Sequence, residues 1–455
     1  MSGIELSAVL EGLQGVLVSS RGSADRQLAR AAIDSREVRQ GDLFFAIPGE
    51  REDGHRFVAE AIAAGAVGAI VERPVEAPGG ATLFHVSDSL EALQRLAAWW
   101  RRRHGAKVIA ITGSVGKTTC KELIASVLAR QFHVLKSEAN LNTEIGVPLT
   151  LLQLTKDHQR AVLEFGMYAR GDIATLAHIA GPATGVVTNV GPVHLQRLGS
   201  IGAITATKAE LVEALPVEGL AVLNADDARA SAMSTRTQAR VFYYGFSEQS
   251  VIRATNVFSR GLEGTDFRLN YAGDSVDLRL PLPGRHYVYP ALAAAAVGLD
   301  EGLTLSEVAD ALAKARIDLR SRVLPGQNGS TLLDDSYNAS PASTLAALDL
   351  LAELPGRRVA LLGDMLELGP AEEQGHRSVG QRAATASDLL LTVGSRATLI
   401  AEAAQHAGAT DVRQLASAEQ AIELLRQELR EGDHLLIKAS RAMAFEEIVS
   451  ALAET

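Results

Sequence analysis

The sequence predicts an α/β protein with three domains. Its 455 residues correspond to about three domains of roughly 150 residues each. Short apolar runs rich in β-branched residues recur along the chain, and helical segments separate several of them, which favours largely parallel sheets. A charged stretch ending near His104 and a polar stretch at 315–330 mark the borders. We therefore expect a small N-terminal α/β domain at 1–105, a central α/β domain at 106–322 and a C-terminal Rossmann-like α/β domain at 323–455.

The composition excludes several classes of protein. The 44 basic and 54 acidic residues give a formal net charge of −10, which argues against a nucleic-acid or membrane-surface binder, because such proteins usually carry a basic face. The 47% hydrophobic and 22% charged residues are typical of a globular chain. The single cysteine, Cys120, excludes an internal disulfide framework and favours a reducing compartment. With no signal peptide and no apolar run of ~20 residues, we expect a cytoplasmic protein without membrane insertion.

The central domain opens with the pattern of a βα unit. The apolar run VIAITG (108–113) ends at a glycine, and Leu123, Ile124, Val127 and Leu128 then recur at helical spacing. Further apolar runs predict strands at 161–165, 185–190 and 220–224, and the β-rich segment at 241–285 predicts an appended meander.

The C-terminal domain repeats the alternation of strand and helix. Apolar runs predict strands at 359–363, 389–394 and 434–440, and helix-like segments separate them. This alternation is typical of a second α/β unit of the Rossmann type.

A glycine-rich loop, GSVGKTT (113–119), follows the first central strand and opens its helix. Glycines let backbone N–H groups turn toward a phosphate, and the helix N-terminus adds partial positive charge. The common form of this motif has glycine five residues before Gly116, where this chain has Ile111, so the loop is a compressed variant. The alternative is an ordinary glycine-rich turn with an exposed lysine. The predicted mononucleotide-binding residues are Gly113, Ser114, Val115, Gly116, Lys117, Thr118 and Thr119.

Three further residues suggest a magnesium site beside this loop. Glu164 ends an apolar run and His194 follows another, and the carboxyl ends of parallel strands face the same crevice as the phosphate loop. A carboxylate with phosphate oxygens suits Mg²⁺, to which the Thr118 hydroxyl would also bind. Lys208 lies in a helical pattern 14 residues after His194, and its spacing alone is equally consistent with a solvated helix lysine.

Together these motifs resemble the Mur ligase family, and within it the MurF branch. The motifs that carry the resemblance over nearly the whole length are IDSR (33–36), GDLFFAIPGE (41–50), EDGHRFV (52–58), GSVGKTT (113–119), KSEANLNTEIGVPLTLL (136–152), EFG around Glu164, NVGPVHL before Lys208, DDSYNASP (334–341), GDMLELG (363–369) with His376, and KASR (438–441).

The resemblance implies an ATP-dependent amide ligase that forms ADP. The implied reaction joins D-alanyl-D-alanine to UDP-N-acetylmuramoyl-tripeptide through an acyl phosphate, a cytoplasmic step in the synthesis of the peptidoglycan precursor. It also implies a first domain that binds the nucleotide sugar, Mg²⁺ as cofactor, a carbamylated Lys208, no nucleic-acid partner and a monomeric enzyme.

The resemblance also implies roles for single residues. Lys117, His194, Lys208 and Asn338 match catalytic positions, and Thr118, Glu164, His194 and Lys208 match metal-binding positions. His286, Arg322 and Asp335 match positions that hold the nucleotide, in addition to the phosphate loop. The matched substrate-binding residues are Ser35, Arg36, Asp53, His55, Asn140, Asn142, Thr143 and Ser340. For the four first-domain residues, simple turns are the alternative.

The chain departs from the family pattern at four positions. Tyr287 and Pro290 stand where the family has asparagines that help hold the nucleotide, which puts the adenine contacts in question. Thr143 stands where asparagine is common, and Ala439 replaces glycine. None of these changes removes a residue matched to the reacting phosphate.

Three other functions compete with this interpretation. One is a different ligase of the superfamily, which adds a single amino acid or extends folate with glutamate; DDSYNASP (334–341) argues against the first and the N-terminal block against the second. Another is a phosphate-loop switch that hydrolyses nucleotide to change shape. A third is a structural protein with a degenerate site, which intact Lys117, Glu164, His194 and Lys208 disfavour.

Overall fold

The computed structural model contains three α/β domains, each built on its own main sheet. It describes residues 4–23, 25–49, 52–78, 80–193, 195–317 and 321–454. The three main sheets have five, nine and six strands within these ranges. The prediction of three α/β domains is confirmed.

The N-terminal sheet is mostly parallel and carries one antiparallel edge strand. Its order is β2-β7-β6-β5-β4, with β2 antiparallel to β7, and β1 pairs with β3 in a separate ribbon. The strands are Ile4–Glu5 (β1), Leu17–Arg21 (β2), Gln27–Leu28 (β3), Ala31–Ala32 (β4), Leu43–Phe45 (β5), Gly68–Val71 (β6) and Thr82–Val86 (β7). The α-helices are Val9–Gly12 (α1), Val58–Ala63 (α2) and Ser89–His104 (α3).

Helix α3 joins the first domain to the second. Asp88 caps its N-terminus by accepting a hydrogen bond from the Glu91 N–H at 2.8 Å. The helix ends at Gly105, whose left-handed φ of 68° is the conformation that favours glycine after a helix. The indole of Trp100 donates to the carbonyl of Leu154 at 2.9 Å. This buried contact holds the helix against the central domain.

The central sheet is parallel from one edge to its middle and antiparallel at the other edge. Its order is β16-β15-β14-β13-β12-β11-β8-β10-β9, and only the β14–β15 and β15–β16 pairs are antiparallel. The predicted meander is therefore an extension of the same sheet. The strands are Lys107–Thr112 (β8), Val134–Lys136 (β9), Arg160–Glu164 (β10), Thr184–Val187 (β11), Leu220–Asn224 (β12), Arg240–Gly245 (β13), Ile252–Ser259 (β14), Thr265–Tyr271 (β15) and Asp274–Leu280 (β16).

An alanine-rich helix supports the helix that follows the glycine-rich loop. The central α-helices are Lys117–Leu128 (α4), Gly146–Leu151 (α5), Asp172–Ala180 (α6), Leu195–Leu198 (α7), Ile201–Glu213 (α8), Ala228–Ala232 (α9), Val288–Asp300 (α10) and Leu305–Ala313 (α11). Helix α10 packs against α4, and its alanines from Ala293 to Ala296 are fully buried. Small side chains permit this close approach, which leaves little space for larger ones.

The C-terminal sheet has the order β17-β18-β22-β19-β20-β21, in which only β17 and β18 are antiparallel. Its strands are Arg322–Gly326 (β17), Ser330–Asp334 (β18), Arg358–Gly363 (β19), Leu389–Val393 (β20), Val412–Leu415 (β21) and His434–Lys438 (β22). The helices are Pro341–Ala352 (α12), Glu372–Ala386 (α13), Thr398–His406 (α14), Ala418–Glu428 (α15) and Glu446–Leu452 (α16). Helices cover both faces of the sheet, as a Rossmann-like domain requires.

No helix in the described ranges combines the length and apolar character that crossing a bilayer requires.

Gly298 tests how tightly the helix pair α4 and α10 is packed, and a glycine on another helix provides the control. A β-carbon on Gly298 would lie 2.6 Å from Val127 Cγ1 and 3.1 Å from Val308 Cγ2. We expect Gly298→Ala to lower the free energy of unfolding by about 1–2 kcal/mol, because overpacking outweighs the gain in helix propensity. The control is Gly202→Ala on α8, where the nearest atom lies 3.8 Å away and a small gain is expected. Thermal unfolding measures the stability of both variants. Equal changes in the two melting temperatures would contradict the close packing around Gly298.

Candidate active site

The glycine-rich loop has the geometry of a phosphate site. It lies between β8 and α4, and Gly116 takes a left-handed φ of 83° directly before the helix. A β-carbon on Gly113 would lie 1.8 Å from Thr188 Oγ1, so only glycine fits there. Lys117 Nζ donates to the Gly113 carbonyl at 3.1 Å, which folds the lysine back over its own loop. The loop presents N–H groups and a cation at a helix N-terminus.

The loop after β11 fixes the phosphate loop through side-chain hydrogen bonds. The Asn189 amide accepts from the Val115 N–H and donates to the Val115 carbonyl, both at 3.0 Å. Thr188 Oγ1 donates to the same carbonyl at 2.7 Å. Ser114 Oγ donates to the Gly191 carbonyl at 3.0 Å and accepts from the Gly191 N–H at 2.8 Å. These bonds preorganise the loop without any ligand.

A buried carboxylate lies beside the start of α4. Glu164, at the end of β10, is 3% exposed. Its Oε2 accepts from Thr118 Oγ1 at 2.8 Å and its Oε1 from Asn142 Nδ2 at 3.0 Å. Within the described ranges Glu164 forms no ion pair with lysine, arginine or histidine, so neutral donors alone satisfy a buried charge. Such an arrangement favours an added cation.

A buried lysine faces the same region from helix α8. Lys208 is 1% exposed, and among the described residues its Nζ has one hydrogen-bond partner, Met167 Sδ at 3.8 Å. Burial and the positive charge of Lys117 hold the pKa of Lys208 well below its usual range. Because Lys208 is buried, the alternative of a solvated helix lysine is wrong.

His194 lies outside the described residues. Among the residues that are described, no group of three histidine, cysteine, aspartate or glutamate side chains is placed to bind a metal ion. From the described residues, a metal at Glu164 would therefore draw its other ligands from hydroxyl groups or a modified lysine, with phosphate oxygens completing the set.

The phosphate loop forms one wall of a cleft of about 910 Å³, and the C-terminal domain forms the opposite wall. On that wall Asp335 pairs with Lys438 Nζ at 2.5 Å and accepts from Ser321 Oγ at 2.6 Å. Arg322 pairs with the buried Asp334 at 2.8 Å. The predicted residues that line the cleft are Ser114, Val115, Gly116, Lys117, Thr118, Thr119, Glu164, His286, Arg322, Asp335, Asn338 and Ser340.

A second, smaller cavity of about 250 Å³ lies between helix α3 and the central domain. Leu90 and Gln94 of α3 line it on one side, and Thr143 and Gly166 line it on the other. Tyr168 lines both this cavity and the main cleft, so the two spaces share a border.

Comparisons with known proteins identify the family. The chain matches, in order, the Mur ligase family catalytic domain over 29–101, the Mur ligase middle domain over 111–298 and the Mur ligase glutamate ligase domain over 319–441. It is 37% identical to the UDP-N-acetylmuramoyl-tripeptide–D-alanyl-D-alanine ligase of Escherichia coli (strain K12), with 99% of both chains covered. The ligase of that name from Bacillus subtilis (strain 168) is 36% identical, with 93% of each chain covered.

The chain belongs to the Mur ligase family, in its MurF branch. Solved structures agree: MurF from Acinetobacter baumannii superposes with a TM-score of 0.89 at 31% identity over 98% of both chains. MurF from Thermotoga maritima, solved in complex with ADP, gives 0.82 at 29% identity over 93% of this chain and 96% of that one.

This Mur ligase differs from the family pattern at the wall beside the phosphate loop. Tyr287 is buried and hydrogen-bonded to Ser321, and burial raises the pKa of Tyr287 to about 12. Pro290 lies in the first turn of α10, where its missing N–H costs no helix bond. Its Cγ is 3.7 Å from a β-carbon placed on Gly116. The cleft is therefore apolar and aromatic at the two positions where the family has amides.

The C-terminal motif of this ligase is held by a buried histidine. His376 Nε2 accepts from the Met365 N–H at 3.0 Å, and its Nδ1 lies 2.7 Å from the Glu372 carbonyl. Ala439, the other departure, is fully buried, and a β-carbon on Gly363 would lie 2.6 Å from its Cβ. The glycine of the GDMLELG motif thus leaves space for the methyl group of Ala439.

The predicted residues of the first domain support local turns. Asp53 accepts from the His55 N–H at 3.0 Å, and His55 Nε2 accepts from the Glu72 N–H at 2.8 Å. Ser35 Oγ donates to Glu60 at 3.2 Å, and Arg36 pairs with Asp34 at 2.5 Å. None of Ser35, Arg36, Asp53 or His55 borders either cavity.

Of the three remaining predicted residues, one lines a cavity and two lie in the same loop. Thr143 lines the second cavity, Asn142 contacts Glu164, and Asn140 is exposed beside them. Sequence analysis did not identify Asn189, because an asparagine in an apolar motif does not indicate which backbone groups its side chain will bond. It also missed Lys438 and Tyr168, whose partners come from distant parts of the chain.

His286 makes the stability of this ligase depend on pH. Burial lowers the pKa of His286 to about 4, whereas an unfolded histidine titrates near ~6.5. The unfolded state therefore binds more protons between these values, and stability decreases as the pH falls from about 6.5 to about 4. We expect His286→Gln to reduce this loss, as measured by melting temperature against pH. If the melting temperatures of the variant and the wild type decreased equally with pH, the role of His286 would be contradicted.

Proposed function

We propose that this chain is the ADP-forming ligase that joins D-alanyl-D-alanine to UDP-N-acetylmuramoyl-tripeptide. The γ-phosphoryl group of ATP passes to the terminal carboxylate of the tripeptide, and ADP leaves. The dipeptide amine then attacks the acyl carbon, and inorganic phosphate leaves as the amide forms. A carboxylate alone is a poor acylating agent, so the phosphorylation makes the amide accessible.

The observation that carries this proposal is the buried site between two domains. Lys117 and the loop N–H groups face a cleft whose other wall carries Asn338, Ser340 and Arg441. One wall is suited to phosphate and the other to a polar partner, so two reactants can meet between them. Bringing reactants together and neutralising charge are the main tasks in phosphoryl transfer.

The site residues support magnesium as the cofactor. Thr118, Glu164, His194 and Lys208 are the ligands we propose, with phosphate oxygens completing the set. The buried Glu164 carboxylate, which only neutral donors satisfy among the described residues, fits a cation. When bound, Mg²⁺ would neutralise negative charge on the phosphate groups. The Lys117 ammonium, folded back over the loop, would supply a second positive charge.

The environment of Lys208 supports a carbamate. An uncharged amine adds CO₂ to give a carbamate anion and releases one proton. Lys208 is buried, and burial holds the pKa of Lys208 well below its usual range. The modification would replace an amine with an anionic oxygen ligand for Mg²⁺. Carbamylation therefore explains why a lysine is buried where the charge of Lys117 acts on it.

We assign the nucleotide and substrate contacts on the same basis. Gly113, His286, Arg322 and Asp335 are proposed to hold ATP with the phosphate loop. Asn140, Asn142 and Thr143 are proposed to line the path of the tripeptide, and Asn338 and Ser340 to face the reacting groups. Ser35, Arg36, Asp53 and His55 are proposed to shape the nucleotide-sugar site through their turns. We also propose that the enzyme is a monomer, and the proposed domain borders remain 1–105, 106–322 and 323–455.

The release of ADP tests the function directly. Enzyme, ATP and Mg²⁺ are mixed with UDP-N-acetylmuramoyl-tripeptide, with and without D-alanyl-D-alanine. Release that needs both, with a product heavier by the dipeptide less one water, supports the ligase. Release without the dipeptide would favour a nucleotide switch, and release with a free amino acid would favour another ligase of the superfamily.

Lys117 provides a test of the phosphate loop. We expect Lys117→Ala to lower kcat/KM about 100- to 1000-fold, because it removes a preorganised charge from the transition state. Its melting temperature should stay near that of the wild type, since no core volume is lost. The control is Lys314→Ala, whose side chain is 70% exposed directly after α11. Substantial ligation by Lys117→Ala would contradict the role.

Lys208 provides a test of the carbamate. We expect Lys208→Ala to be inactive and to regain part of its activity with added acetate or propionate, which supply a carboxylate in the emptied space. Lys121→Ala is the matched control, because Lys121 is equally buried but already pairs with Glu122 at 3.0 Å. A lack of rescue at any concentration, or equal rescue of both variants, would count against the carbamate.

A further inference from the structure

An arginine and a tyrosine form a pair at the border between the two cavities. Tyr168 follows Glu164 by four residues and is 49% exposed. It lines both the main cleft and the second cavity. The guanidinium carbon of Arg197, on α7, lies 5.0 Å from the centre of the Tyr168 ring. This distance is that of a cation–π contact, which attracts the guanidinium to the face of the ring.

Arg197 has no anionic partner in the described part of the chain. It is exposed, and neither an ion pair nor a side-chain hydrogen bond ties it to any described residue. The acidic residue next to Tyr168, Asp172, uses its Oδ2 to accept from the Tyr168 N–H at 2.6 Å and the Ala169 N–H at 2.7 Å. The planar fork of an arginine matches a carboxylate in shape and charge.

The pair lies where the three domains meet. The second cavity that Tyr168 borders is lined by Leu90 and Gln94 of the N-terminal domain. Helix α7, which carries Arg197, packs against the C-terminal segment around Gly369, where a β-carbon would lie 3.2 Å from the Gln196 nitrogen. A peptide bound by the first domain would pass this point on its way to the phosphate loop.

We propose that Arg197, in contact with Tyr168, is a positioning residue that pairs with a carboxylate of the peptide substrate beside the border that Tyr168 forms between the second cavity and the main cleft. The inference rests on the proposed function, which supplies an acidic peptide whose terminal carboxylate must reach the phosphate loop. A guanidinium already fixed on a ring loses little freedom on binding, so the pair contributes affinity with limited ordering cost. The competing partner for this cation is a phosphate of ATP.

Binding and kinetics of four variants separate these partners. The variants are Arg197→Gln, Arg197→Lys, Tyr168→Leu and, as a control, Arg229→Gln, which changes another exposed arginine of the central domain. Calorimetry measures the Kd of UDP-N-acetylmuramoyl-tripeptide, and steady-state assays measure KM for each of the three substrates. Melting temperatures confirm that each variant is folded.

We expect Arg197→Gln to raise the Kd and KM of the tripeptide about tenfold, the usual effect of losing one charge-assisted hydrogen bond. Arg197→Lys should recover part of this loss, and Tyr168→Leu should raise both constants severalfold. The KM values for ATP and the dipeptide should change less than about twofold, as should all constants of Arg229→Gln. Added salt should weaken tripeptide binding to the wild type more than to Arg197→Gln.

An unchanged tripeptide Kd in Arg197→Gln would overturn the inference, and so would a rise confined to the KM for ATP. Because the calorimetric measurement needs no turnover, the inference is tested independently of the reaction. A wild type that binds the tripeptide but does not join it to the dipeptide would contradict the proposed function alone.

Discussion

The burial of ionisable groups at the carboxyl ends of the central strands is the constraint on which the site depends. Glu164 and Lys208 are both almost inaccessible to water, and neither forms an ion pair among the described residues. A buried carboxylate without a cation and a buried amine without an anion are each costly. Both free-energy costs of burial would fall if the Lys208 amine became an anionic ligand and a divalent cation bound between it and the Glu164 carboxylate. The proposed cofactor and the proposed modification would therefore lower both costs at once.

The same principle shapes the rest of the cleft, although there the charges satisfy one another. Asp335 pairs with Lys438, and Arg322 pairs with Asp334, which fixes the wall opposite the phosphate loop. On the loop side Asn189 bonds Val115 in both directions. Both walls are thus rigid before any substrate binds, which is the preorganisation that charge stabilisation in phosphoryl transfer requires.

Much of the fold follows from local patterns in the sequence. The runs at 108–113 and 220–224 form β8 and β12 because apolar β-branched segments bounded by turns have few other stable conformations. Gly113 and Gly116 predict the phosphate loop because glycine adopts the backbone conformations that such a tight turn requires. The surroundings of Lys208 could not be predicted from periodicity, because its burial depends on the Met167 loop and on strands β8 and β11, against which α8 packs. Asp53 and His55 illustrate the opposite case, since motif residues there form turn and strand contacts within their own domain.

The state of Lys208 is the central claim of this account, and ¹³C NMR after incubation with ¹³C-labelled bicarbonate tests it most directly. The account predicts a carbamate signal in the wild type that is absent from Lys208→Ala and present in Lys121→Ala. The signal should strengthen on adding Mg²⁺ and ATP, because ligand binding favours the anion. Spectra of the wild type and Lys208→Ala without any difference in the carbamate region would contradict it.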